Sequence, residues 1–186
     1  MKTRRLAILL IFLVFFAGVP NKLRAQDAES NAAELTPIIV EDLDASGEIV
    51  HYSLRENRII PEEELTDENW DISFKGTSIL VNFEAQLVDR SFDYVASARK
   101  SGYAYDDETD GPAIPSGNGA GWFDYDPATH FISTVPERTI VVITPVDTYA
   151  KIEILSYYKS QSSDLEEPRF YTFHFVHQAN GTRKFH

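Results

Sequence analysis

Residues 138–185 leave the chain little alternative to antiparallel β-structure. They read RTIVVITPVDTYAKIEILSYYK, then an acidic break, then FYTFHFVHQANGTRKF. β-branched and aromatic residues fill the apolar runs, and turn-forming or strongly polar residues interrupt them, the pattern of a β-meander. Residues 139–144 and 149–158 read as two strands joined across Pro145-Val146-Asp147-Thr148, most simply as a hairpin, and 169–178 as a third. In the second strand Ala150, Ile152 and Ile154 share the core side, and the alternation sends Lys151 and Glu153 outward. Asn180-Gly181 predicts a type I′ turn that returns residues 182–185 as a short terminal strand.

The same period of two recurs upstream. Residues 37–42 and 47–55 read as strands around an Asp-Ala-Ser-Gly turn, with Val50, Tyr52 and Leu54 on one face and His51 and Ser53 on the other. Residues 57–65 read as a polar connection with room for a short helical turn. Trp70, Ile72 and Phe74 alternate with Asp71 and Ser73, predicting a half-buried strand over 69–74, and Ile79, Val81 and Phe83 repeat the alternation over 78–83. Residues 84–126 break the pattern with a long loop rich in Gly, Pro, Asp and Ser. Tyr103, Tyr105, Trp122, Phe123 and Tyr125 are embedded in it, more aromatics than a flexible linker carries, so part of it packs or binds something. The predicted architecture is all-β: antiparallel sheets packed as a sandwich, with one long aromatic and Gly-rich loop.

Residues 1–25 read as a signal peptide, with Lys2, Arg4 and Arg5 ahead of an apolar run to Val19 and Ala25 before the predicted cleavage. That run is shorter than the roughly 20 residues a spanning helix needs. Residues 26–35 are polar and Ala/Glu-rich, predicting a disordered leader, and 36–186 a single domain. The chain has no cysteine, so neither a lipid-anchored Cys nor a disulfide is predicted, and about 160 residues suffice for one core. The localisation this predicts is periplasmic or secreted. Five of the 17 basic residues precede position 26, so cleavage leaves 12 against 29 acidic ones, a charge of −17. Such a surface repels phosphate backbones and anionic head groups, which argues against nucleic-acid and membrane-surface roles. Its plain meaning is solubility.

No catalytic motif is present: no Cys nucleophile, GxSxG, HExxH or Gly-rich phosphate loop. The chain does not read as an enzyme. Asp106-Asp107-Glu108-Thr109-Asp110-Gly111 imitates the start of a calcium loop, but Gly117 stands where a bidentate Glu belongs, so an acidic solvated turn is the better reading. The histidines are His51, His130, His174, His177 and His186, and no two fall two apart on a strand to make a same-face metal pair. His130 stands apart because it ends WFDYDPATH beside the aromatic loop. It reads equally as a hydrogen-bonded turn histidine or as a ligand.

Trp70-Asp71-Ile72-x-Phe74 with Asn82, Gly121-Trp122 with Tyr125, Thr129-His130, Pro136-x-Arg138-Thr139, Tyr149-Ala150-Lys151 through Tyr157-Tyr158, and Tyr171-x-Phe173 through Gly181 are each short aromatic β patterns. In this order and spacing they resemble the HmuY-like family of secreted haem-binding proteins over roughly residues 47–185. The resemblance implies an exported haemophore-like protein that captures haem and passes it to an outer-membrane, TonB-dependent receptor. Family members are associated with two axial histidines, others with methionine. Here the only Met is the initiator, His130 is the only histidine within the matching binding region, and none occurs between Arg55 and Trp122. The haem site implied is therefore His130 at the iron, with Tyr103 or Tyr105 as a phenolate partner. Trp122 and Tyr125 would supply ring walls, and Arg99 and Lys100 would meet a propionate. The alternative is a non-haem binding or adhesion module that holds a glycan, siderophore or protein through the same loop.

Overall fold

The computed structural model describes residues 35–117, 119–160 and 167–186. The predicted signal peptide and residues 26–34 of the predicted leader lie outside them. Leu35, the first described residue, packs against a buried cluster.

The strands are β1 (Ile38–Asp44), β2 (Val50–Ser53), β3 (Arg58–Ile60), β4 (Ile72–Lys75), β5 (Ser78–Val81), β6 (Glu84–Asp89), β7 (Phe123–Asp126), β8 (Phe131–Thr134), β9 (Arg138–Ile143), β10 (Tyr149–Tyr158) and β11 (Pro168–Gln178). They form a five-stranded sheet in the order β1-β11-β10-β9-β6, a four-stranded sheet β3-β2-β4-β5, and a separate β7–β8 hairpin. Every pairing is antiparallel.

The two larger sheets meet through side chains set two apart. Tyr52 from β2 and Ile72 and Phe74 from β4 face Ile140, Ile152, Phe173 and Phe175 from the five-stranded sheet. Their rings interlock: Phe74 stacks on Phe173 at 5.3 Å, and Tyr52 meets Phe173 edge-on at 5.7 Å. Offset and edge-on contacts of this kind each add about 0.5–1.5 kcal/mol beyond area burial. The predicted sandwich is present.

Five expectations need correction. First, Lys151 does not face solvent; it is 5% exposed. Residues beyond β6 and the C-terminal segment cover the outer face of the five-stranded sheet, and Val88, Phe92, Val95, Val141, Val176 and Phe185 form a second core there. The Lys151 ammonium donates to the Phe92 and Val95 carbonyls at 2.8 and 3.2 Å and lies 4.2 Å from the Phe92 ring centre. Second, the long loop begins too early in the sequence reading, because residues 84–89 are edge strand β6. Ala85 and Leu87 point into the main core, and the modest strand propensity of Glu-Ala-Gln hides the alternation. Third, the polar connection at 57–65 contains β3 before its short 3₁₀ turn at Glu62–Glu64. Fourth, Asn180-Gly181 makes no type I′ hairpin: Gly181 has a positive φ but Asn180 does not. The Asn180 side chain instead accepts the Thr182 amide, and Lys184 bridges to Ser97. Fifth, the strand predicted over 69–74 is more than half-buried, since Asp71 and Ser73 are both inaccessible.

Candidate functional site

The site is built from Gly121 outward. A Cβ on Gly121 would lie 2.4 Å from the Pro115 carbonyl oxygen and 2.9 Å from the Gly117 nitrogen, so only glycine lets the loop fold this tightly. The Arg138 guanidinium donates to the Gly121 carbonyl and pairs with Asp89 at 2.7 Å, tying the loop to β9 and β6. Trp122 follows directly. It is 3% exposed, donates its indole N–H to the Thr77 carbonyl at 3.1 Å, and packs against Phe123, Tyr157 and Tyr171.

From there the chain runs up β7 and returns along β8. The turn between them is fixed by Asp126, whose carboxylate accepts the Ala128 amide and the Thr129 hydroxyl, each at 2.8 Å. Those contacts, the Ala128 amide first, hold its carboxyl below the ordinary range. The turn ends on His130 at φ 58°, the left-handed region, which histidine enters more readily than most side chains. The Tyr125 hydroxyl and His130 Nδ1 are 2.5 Å apart.

β8 then docks on the end of β10. The Phe131 and Tyr158 rings stack at 4.7 Å and 5°, and the Ile132 amide donates to the Tyr158 hydroxyl at 2.8 Å. Between this hairpin and the β10–β11 end lies a cleft of about 930 Å³ lined by Thr77, Thr129, His130, Phe131, Ile132, Tyr157, Tyr158, Pro168 and Arg169. That volume is at the upper end of the range for cofactor sites, about 300–1,000 Å³. Burial pushes the Tyr157 hydroxyl up, and the Arg169 guanidinium beside it offsets part of that shift. Arg169 has φ 73°. The cleft thus combines an imidazole, three aromatic rings and a guanidinium.

The residues singled out in the sequence do not all gather here. His130 lines the cleft and Tyr125 is its hydrogen-bond partner. Trp122 lies beneath it as core, backing Tyr157. Tyr103 packs instead against the second core, on the outer face of the five-stranded sheet, and burial pushes its hydroxyl up to about 12, which opposes a phenolate. Arg99 lines a different pocket on that face, and Lys100 is exposed beside it in sequence. Tyr105 is exposed next to the acidic loop. Tyr157 and Tyr158 stand out in the sequence only as part of an aromatic β motif, not as site residues, and Arg169 does not stand out at all. They reach the cleft because β10 and β11 end where the hairpin docks.

The acidic loop resolves as a turn. Asp106 accepts the Val81 and Ala113 amides at 2.7 and 2.8 Å, and Asp107 accepts those of Thr109 and Asp110. Among the described residues no group of three or more His, Cys, Asp or Glu side chains is placed to hold a metal. Nor is any helix among them long and apolar enough to cross a membrane.

No protein-family model matches the chain, and no curated protein matches it in sequence. Solved structures do match. The apo form of an HmuY analogue of Tannerella forsythia is similar at 14% identity and a TM-score of 0.54, over 77% of this chain and 95% of that one. A Bacteroides vulgatus protein described as HmuY-like and haem-binding is similar at 13% identity and 0.52, over 77% and 91%. A Bacteroides fragilis protein described as a lipoprotein follows at 12% and 0.50, over 78% and 90%. The chain therefore shares the all-β fold of HmuY-like proteins, as the order of its aromatic β motifs implied.

Proposed function

We propose that this is an exported haem-binding protein, without catalytic chemistry of its own, that captures haem for an outer-membrane receptor. The observation that carries the reading is His130 in a 930 Å³ cleft walled by Phe131, Tyr157 and Tyr158 with Arg169 beside them. Haem supplies an apolar macrocycle, two carboxylates and an iron that takes an axial donor. The side chains of the cleft match those needs. His130 would give its Nε2 to the metal, and the Nδ1–H tautomer that this selects donates to the Tyr125 hydroxyl, which orients the ring. The aromatic rings cover the macrocycle, and Arg169 is the cation available to a propionate. No second histidine and no methionine lines this cleft, so ligation from the cleft rests on a single imidazole. Periplasmic or secreted placement goes with the predicted signal peptide and the absence of cysteine.

Haemin titration of the protein without its predicted signal peptide tests this reading. A saturable Soret shift that His130→Ala abolishes and Tyr125→Phe weakens is the expected result. No shift, or one unchanged in His130→Ala, removes haem and leaves the glycan- or siderophore-binding alternative for the same cleft.

A further inference from the structure

The outer face of the five-stranded sheet carries a second pocket of about 260 Å³, lined by Val88, Arg90, Tyr94, Val95, Ala96, Ser97, Arg99 and Val141. Val88, Val95 and Val141 belong to the second core and make an apolar floor. Arg90, Tyr94, Ser97 and Arg99 are exposed around it. No carboxylate lines it. Among the described residues neither guanidinium is in an ion pair, whereas Arg55, Arg58 and Arg138 each hold one. In a chain with 29 acidic residues, two arginines share a pocket that no carboxylate lines, and neither is held in an ion pair among the described residues, which leaves both guanidinium forks open to an anion.

We infer that this pocket binds a small organic anion. Its carboxylate or phosphate is held between Arg90 and Arg99, and its apolar body rests on the valine floor beside the Tyr94 ring. Guanidinium is the cation suited to this role, since its planar fork meets two oxygens of one oxyanion at once. The volume lies below the range for drug-sized ligands, about 300–1,000 Å³, which restricts the ligand to about one ring and its anionic group. The site is independent of the haem reading, because its residues belong to the opposite face of the sheet from the core under His130.

The probe is phenyl phosphate, followed by amide NMR of the whole protein, with benzyl alcohol and inorganic phosphate as comparisons. Saturable shifts at Val95 and Ser97 are expected, with benzyl alcohol inert and inorganic phosphate weaker. Arg90→Gln and Arg99→Gln should each weaken phenyl phosphate about tenfold or more, the loss of a charge-assisted contact. Arg58→Gln, which removes an arginine paired with Glu56 and Glu64 elsewhere, should change nothing. Absence of saturable shifts overturns the inference. Equal affinity in both pocket variants, an adventitious ion only, overturns it too, as does inorganic phosphate binding as tightly as phenyl phosphate. Haemin titration of the same two variants should match the parent, so this inference and the haem reading fail separately.

Discussion

Asp71 has no exposed surface, and its carboxylate holds the turn that leaves β2. One oxygen accepts the Leu54 amide at 2.8 Å and the Arg55 amide at 3.3 Å, and the other accepts Arg55 Nε at 2.9 Å. Replacing Asp71 by Ala strands the buried Leu54 N–H, at a cost of about 1–3 kcal/mol. It also leaves the Arg55 guanidinium, whose side chain is 19% exposed, without its counter-charge. Breaking a buried pair by removing one partner costs about 3–5 kcal/mol in total. For a domain of this size each kcal/mol moves the melting midpoint by about 2–4 °C, so Asp71→Ala should melt roughly 6–20 °C lower. Asp71→Asn keeps an oxygen for Leu54 but turns an N–H₂ toward Arg55, and should fall between parent and Ala. Burial is the largest influence on this carboxyl and raises it despite Arg55, so the ionised form is held at a desolvation cost. Urea unfolding at neutral pH measures all three proteins. A loss below about 1 kcal/mol in Asp71→Ala, or an Asn variant as unstable as Ala, would refute the assignment of this carboxylate as the clasp of the turn.

Tyr158→Phe keeps the stack on Phe131 but removes the acceptor of the Ile132 amide. About 1 kcal/mol should be lost, and hydrogen exchange at Ile132 should accelerate while β11 amides stay protected. Gly121→Ala forces a Cβ against the Pro115 carbonyl and should displace the loop, read as lost stability and a changed Trp122 fluorescence maximum; an unchanged spectrum and midpoint would count against that packing. Burial holds His51 below the ordinary imidazole value of 6.5, and burial followed by Arg55 does the same to His177. The unfolded chain therefore takes up protons near 6.5 that the fold refuses, so stability should fall as pH drops through 6.5 toward the depressed values. A double variant, His51→Gln with His177→Gln, should flatten that fall in melts from neutral to about pH 5, and an unaltered slope would assign the pH effect elsewhere.

Most residues that carry the family resemblance turn out to hold the scaffold. Asp71 clasps a turn, Asn82 donates to the Asp67 and Trp70 carbonyls, and Trp122 fills the core. Thr139 donates to the Arg90 carbonyl, and Arg138 ties the loop to β6 and β9. Short motifs were therefore a good guide to architecture, and most of their residues hold the scaffold rather than line the cleft. Thr129, His130, Tyr157 and Tyr158 are the exceptions, since they line the cleft, and of these only His130 was flagged as a site residue, by its place after WFDYDPAT.

Alternation of period two decided by itself which side of each long strand is apolar, because successive side chains on an extended chain must point opposite ways. It also marked β9, β10 and β11 to within a residue or so. Whether the other side meets water is a different question, and only the tertiary structure answered it. Lys151 reads as solvent-facing until residues beyond β6 fold over it and supply two carbonyls. The same covering carried Tyr103 and Arg99 to the opposite side of the sheet from the core beneath His130, although barely thirty positions separate them in the chain. Local pattern fixes the facing of a strand, but which distant segments converge is set by how whole sheets and loops pack, and no spacing along the sequence encodes that convergence.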